Sequence, residues 1–244
     1  MKKLFALFCL TSVSVSLPAL LISQTKADPA EITSNVQQLS EFHQVIFPMW
    51  HNAYPAKDYD ALKGFVPQIK AHVDSINNSK LPGILRERED EWKGLLIELN
   101  TTAQNYYSAA ATNNNDDLLE AAEKLHSVYE RMNRVIRPAL KEIDDYHQTL
   151  YIIYHKLYPE KKYSEIASLA GELVSKAEAI KNYPSEKLKQ RLGDKISQFN
   201  TSAGELLNVT VKLKEALTGD DPKKKDEAVQ KVHTAYQNLD GLFH

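Results

Sequence analysis

Phe42-His43-Gln44, His51 and the run Tyr54-Pro55-x-Lys57-x-Tyr59 return 104 residues further on as Tyr146-His147-Gln148, His155 and Tyr158-Pro159-x-Lys161-x-Tyr163. Two more stretches come back. Leu99-Asn100-Thr101-Thr102-Ala103 pairs with Phe199-Asn200-Thr201-Ser202-Ala203, and Glu120-Ala121-x-x-Lys124-Leu125-His126-x-x-Tyr129 pairs with Glu227-Ala228-x-x-Lys231-Val232-His233-x-x-Tyr236. No other feature restricts the fold as tightly, because whatever the first half builds the second must build again with different neighbours. The offset slips to 100 and then to 107 across stretches that read as loops. The expected units are 28–138 and 139–244.

Inside each unit the apolar residues recur at three- and four-residue spacing, and few segments alternate as strands do. Leu118, Ala122, Leu125, Tyr129, Met132 and Ile136 make one such stripe, and Ile143, Tyr146, Leu150, Ile153 and Leu157 another. The chain therefore reads as all-α. Four helices of this length joined by short loops are most simply an up-down-up-down four-helix bundle, which makes two tandem bundles. The Tyr-Pro pairs at 54–55 and 158–159 mark the end of the first helix of each unit. Pro48 should kink or restart that helix in unit one, whereas unit two has Ile152 there and should run straighter. Pro138, between the units, suits a first helical turn or a kink in one continuous helix.

The first 27 residues carry Met1, Lys2 and Lys3, an apolar stretch diluted by serines, and Thr25-Lys26-Ala27. This is the pattern of a signal peptide, expected to be cut after Ala27, so the mature chain should be periplasmic or secreted with no membrane span. The single cysteine, Cys9, falls in that leader. Disulfides and thiolate metal sites are thereby excluded from the mature chain. Thirty Lys and Arg against 32 Asp and Glu leave a net charge of −2, with no basic patch for nucleic acid. There is no nucleophile elbow, no glycine-rich phosphate loop and no His-Glu-x-x-His, so the expectation is a binding protein rather than an enzyme.

Six of the eight histidines belong to the repeat: His43, His51 and His126, matched by His147, His155 and His233. Retention at three matched places, where neighbours have diverged, marks them as the candidate site. Residues eight apart on a helix are separated by about 12 Å of rise and about 80° of rotation, so His43 and His51 should not share a ligand. Counting levels between the antiparallel first and last helices puts His43 opposite His126 and His147 opposite His233, with Asn100 or Asn200 at the same level. We therefore expect a polar layer in each unit, with His43/His126 and His147/His233 as metal ligands and His51 and His155 apart, near the Tyr-Pro turn. Neutral imidazole is the commonest side-chain ligand for zinc, copper or nickel. A metal ion or other small ligand is the expected partner. The competing reading is a structural or interaction module with a periplasmic protein partner, in which the histidines only set helix register.

In helix content, unit length and leader, each unit resembles the soluble four-helix-bundle cytochromes of the c-prime and soluble b type. That resemblance implies a haem ligand on the last helix, where His126 stands in Glu-Ala-Ala-Glu-Lys-Leu-His-Ser-Val-Tyr, and Met49 as a sixth ligand. The chain departs from the pattern in three places: Cys-x-x-Cys-His is missing, His126 lies mid-helix, and Ile153 replaces Met49 in unit two. The resemblance leaves a b-type haem electron carrier as a third reading, and the departures make a haem-free relative the expectation.

Overall fold

A computed structural model describes residues 28–112 and 114–243. The leader-like segment 1–27 and His244 lie outside these. Every regular element among the described residues is helical, as the apolar periodicity predicts. Both stripes are interior: the six residues from Leu118 to Ile136 and the five from Ile143 to Leu157 are each at most 4% exposed.

The main helices are α1 (Gln37–Pro48), α2 (Tyr59–Gly64), α3 (Val66–Asn77), α4 (Glu89–Thr112), α5 (Asn115–Ile136), α6 (Lys141–Tyr151), α7 (Tyr163–Lys181), α8 (Ile196–Thr218) and α9 (Pro222–Asp240). Starts are set by side chains that accept the orphan amides of a first turn: Asp58 caps α2, Asn114 caps α5, and Asp221, ahead of Pro222, caps α9. Neighbours follow chain order. α1 packs on α3, α3 on α4, α4 on α5 and α5 back on α1; α6, α7, α8 and α9 repeat that circuit. Two cores result, one from Val36 to Ile136 and one from Ala139 to Leu242, and the first also takes in Tyr151. At Pro138 the helix is interrupted outright rather than kinked, since α5 ends at Ile136 and α6 begins at Lys141.

The matched Tyr-Pro runs share an unusual backbone. α1 passes into a π-helical turn, Met49–Ala53, and α6 into another, Ile152–Leu157. Tyr54 and Tyr158 each donate their amide to the carbonyl five residues back, on Met49 and Ile153. Lys57 and Lys161 then close the helix in the left-handed region, at φ of 52° and 55°. The expectation that unit two would run straighter without a proline is thus corrected, because the wide turn forms equally at Pro48 and at Ile152.

A short 3₁₀ turn, Gly83–Arg88, joins α3 to α4 and reaches across to α6. Arg88 donates to the Val135 carbonyl at 2.9 Å and pairs with Asp240 at 2.7 Å, with both side chains under one fifth exposed. Two further contacts join the halves: Ser34 donates to Asp144 at 2.9 Å, and Lys156 pairs with Glu31 at 2.5 Å. Of the two ion pairs, Arg88–Asp240 is the sheltered one and counts for more than an exposed pair does.

Candidate metal centre

The π-helical turns decide which histidines meet. A π turn carries about one residue more than an α turn, setting the following side chains back by about 100°. That cancels the roughly 80° gained over eight α-helical residues, so the first two histidines of each triplet return to one face. In the first half Phe47 bridges them, 5.6 Å from the His43 ring and 4.7 Å from His51. In the second half His147 stacks on Tyr236 of α9 at 4.4 Å, and His155 lies edge-on to His233 of α9 at 5.9 Å.

The pairing expected from level counting is therefore corrected. His233 is brought to His155, not to His147, and His155 does not stand apart. The same shift holds in the first half, where His43 packs on Phe47 and Tyr129 while His126 lies flat on Trp50 at 4.1 Å, one turn further along. His51 is exposed there, although near enough to His126 for its charge to disfavour protonation of that ring, after burial. The asparagines do not join a polar layer either. Asn100 is exposed and exchanges hydrogen bonds with Asn77 of α3 at 2.8 and 2.9 Å. Asn200, at the matched place, meets Lys181 of α7 through its backbone carbonyl. Buried polar contacts between helices are made instead by Tyr106 to the Leu62 carbonyl and by Tyr146 with Thr210.

Around His233 the structure assembles a cluster. The ring lies on Tyr154 at 3.7 Å and 5°, as His126 lies on Trp50, which fixes the direction of its edge. Glu87, from the Gly83–Arg88 turn, brings a carboxylate oxygen to 2.9 Å from His233 Nε2. The approach is off the line a ring N–H requires, so this nitrogen, on a residue 8% exposed, has no aligned hydrogen bond. It is a close polar contact without the alignment of a hydrogen bond. One ligand atom each from Glu87, His155 and His233 lies within 4.8 Å of the others.

The electrostatics prepare these groups unequally. The neighbouring His233 ring, and after it Gln237, hold the Glu87 carboxyl down to about 2 in spite of its partial burial, so it is ionised at neutral pH. Burial first, and then the Arg86 charge, push His155 down to about 4, leaving it neutral. Arg86 Nη1 stands 3.2 Å from His155 Nδ1. Arginine can only donate, so this nitrogen accepts. The same guanidinium donates to the Gly83 carbonyl at 3.0 Å and to the Tyr151 hydroxyl at 2.5 Å. Beside the cluster, a cavity of about 310 Å³ opens between the halves, lined by Glu87, Arg88, Asp144, His147, Tyr236 and Asp240 among others.

Glu87 was not legible as a site residue. It has no histidine-like counterpart in the repeat, and it sits in a polar loop 146 residues from His233 in sequence. Tyr151 and Tyr154 were visible as aromatic neighbours of the histidines, with core packing as the simpler reading. Comparison of the chain with protein-family models, curated proteins and solved structures finds no match.

Proposed function

We propose that this chain is an exported binding protein, two tandem four-helix bundles in build, that holds one transition-metal ion between Glu87, His155 and His233. The observation that carries the reading is the His233 Nε2 atom, buried and without an aligned hydrogen bond, facing an ionised carboxylate and a neutral imidazole. Orphaned buried polar atoms are rare enough to need a reason. Two nitrogens and one carboxylate oxygen suit zinc, copper or nickel, with water in a remaining position. Ligand atoms within 4.8 Å must draw in to about 3.4 Å to share an ion bound at about 2.1 Å. The exposed Glu87 side chain is the one of the three placed to supply that movement. His155 must also exchange Arg86 for the ion, and Arg86 then keeps the Gly83 carbonyl and the Tyr151 hydroxyl. Export rests on the composition of residues 1–27.

Haem is not part of this reading: of the two residues that the cytochrome resemblance implies as its ligands, Met49 is enclosed in the first core and His126 lies flat on Trp50.

Arg86 is also the observation that favours a second reading, in which the cluster is a metal-free junction and the histidines only fix the halves in place. Metal content distinguishes the two. Mature protein without a histidine tag, equilibrated with zinc, copper or nickel at neutral pH and desalted, should retain about one ion per chain. Glu87→Gln and His233→Ala should each weaken binding at least about tenfold, in line with loss of one ligand. Equal metal content in wild type and both variants, with a melting temperature indifferent to metal and chelator, leaves the junction reading standing alone.

A further inference from the structure

The matched faces of the two halves differ in one respect: the second is covered and the first is not. Tyr151 is 1% exposed, beneath the Gly83–Arg88 turn, whereas Phe47, its counterpart 104 residues earlier, is 49% exposed. His147 and His155 are partly buried while His43 and His51 are exposed. What covers the second face is Leu85-Arg86-Glu87-Arg88, and 103 residues later the chain carries Leu188-Lys189-Gln190-Arg191. Leu85 and Leu188 are both buried, at 6% and 2%. Lys189, Gln190 and Arg191 are exposed. The chain thus repeats both halves of its own internal junction and uses each half once.

We propose that the free pair joins two copies of this chain head to tail, with the Leu188–Arg191 segment of one copy seated on the Phe47/His51 face of the next. This rests on the tandem-repeat reading and is independent of the metal. The chemistry carries over with changes: Gly83, Arg86 and Glu87 of the segment become Glu186, Lys189 and Gln190, and Tyr151 of the face becomes Phe47, which lacks the hydroxyl that a Cβ at Gly83 would meet. Arg86 lies over the Tyr151 ring at 4.9 Å, and Lys189 finds the same ring face on Phe47; a cation over an aromatic ring is attractive in either case. Gln190 replaces Glu87, so it can accept from His126 of α5 without supplying a carboxylate ligand. The contact therefore forms in chelator. It is heterologous, since face and segment are different surfaces, and it propagates as an open chain instead of closing as a dimer. In the internal junction, residues 28–34 add contacts through Glu31 and Ser34. Their counterparts, 132–138, belong largely to α5, so the contact between copies is smaller and correspondingly weak.

Sedimentation of the mature chain in chelator, from micromolar to millimolar concentration, tests this. Wild type should show an average mass that keeps rising without a plateau at dimer. Phe47→Glu and Lys189→Glu, both at exposed positions and checked for unchanged helix content, should each stay monomeric. Mixed in equal amounts they should form a dimer and nothing longer, because one retains the segment and the other the face. A wild-type monomer throughout, a plateau at dimer, or variants that associate as wild type does would each overturn the proposal.

Discussion

His147 packs its ring on Tyr236 and borders the cavity between the halves, and burial, offset in part by Asp240 and Glu87, pushes it down to about 4. An unfolded histidine titrates near 6.5. Above that value both states hold the neutral ring and no penalty arises. As the pH falls from 6.5 towards 4 the unfolded chain takes up a proton that the folded chain refuses, so stability declines, by up to about 1.4 kcal/mol per pH unit. Below about 4 both states protonate and the slope vanishes. Denaturant unfolding in chelator across pH 4 to 7 should therefore show this decline, to which His155 adds its own over the same window, and His147→Gln should reduce the slope by about half. An unchanged slope in the variant would assign the titration to another group. Chelator removes any metal that the proposed site would take up through His155 and His233.

At the level of elements, the two wide turns and the lysines that follow them are the distinctive construction. A non-glycine residue at positive φ costs about 1 kcal/mol relative to glycine. Lys57→Gly should raise stability by up to about 0.5 kcal/mol after the entropy of the unfolded glycine is counted. Lys161→Gly should gain less, because Lys161 also pairs with Asp226 at 2.8 Å and lies over the Tyr158 ring at 4.3 Å. Thermal unfolding of the two variants side by side checks the order, and a larger gain at Lys161 would refute the account. The helices themselves were legible because apolar spacing reports local periodicity, as the buried stripe from Leu118 to Ile136 shows. The π turns were not. Counting 100° per residue assumes uniform winding, and a single extra residue near His51 or His155 leaves no mark in composition. The level count therefore paired His147 with His233 when one turn's slip brings in His155.

For the whole molecule, the junction depends on a glycine. A Cβ on Gly83 would fall 2.2 Å from the Tyr151 hydroxyl, closer than atoms can pack, and Tyr151 is too enclosed to withdraw. Gly83→Ala should push the Gly83–Arg88 turn away from α6, a strain borne by the first core, which includes Ile84, Leu85 and Tyr151, and not by the second. Scanning calorimetry should then resolve two transitions where wild type gives one, since the first core is weakened and its coupling to the second is lost. A single transition at the wild-type temperature would show that the junction does not depend on this approach. Contacts between the halves escape sequence reading because Glu87 and His233 share no local pattern, only a position in the assembled chain. The wide turn in α6 has one more consequence, and it concerns how this protein could be rewired. Side-chain replacement cannot alter which histidine meets His233, because helix phase and not residue identity selects it. Removal of one residue between His147 and His155 would. The unit of change at this centre is an insertion or deletion, so a substitution scan, however complete, would map the ligands and never touch the device that chooses among them.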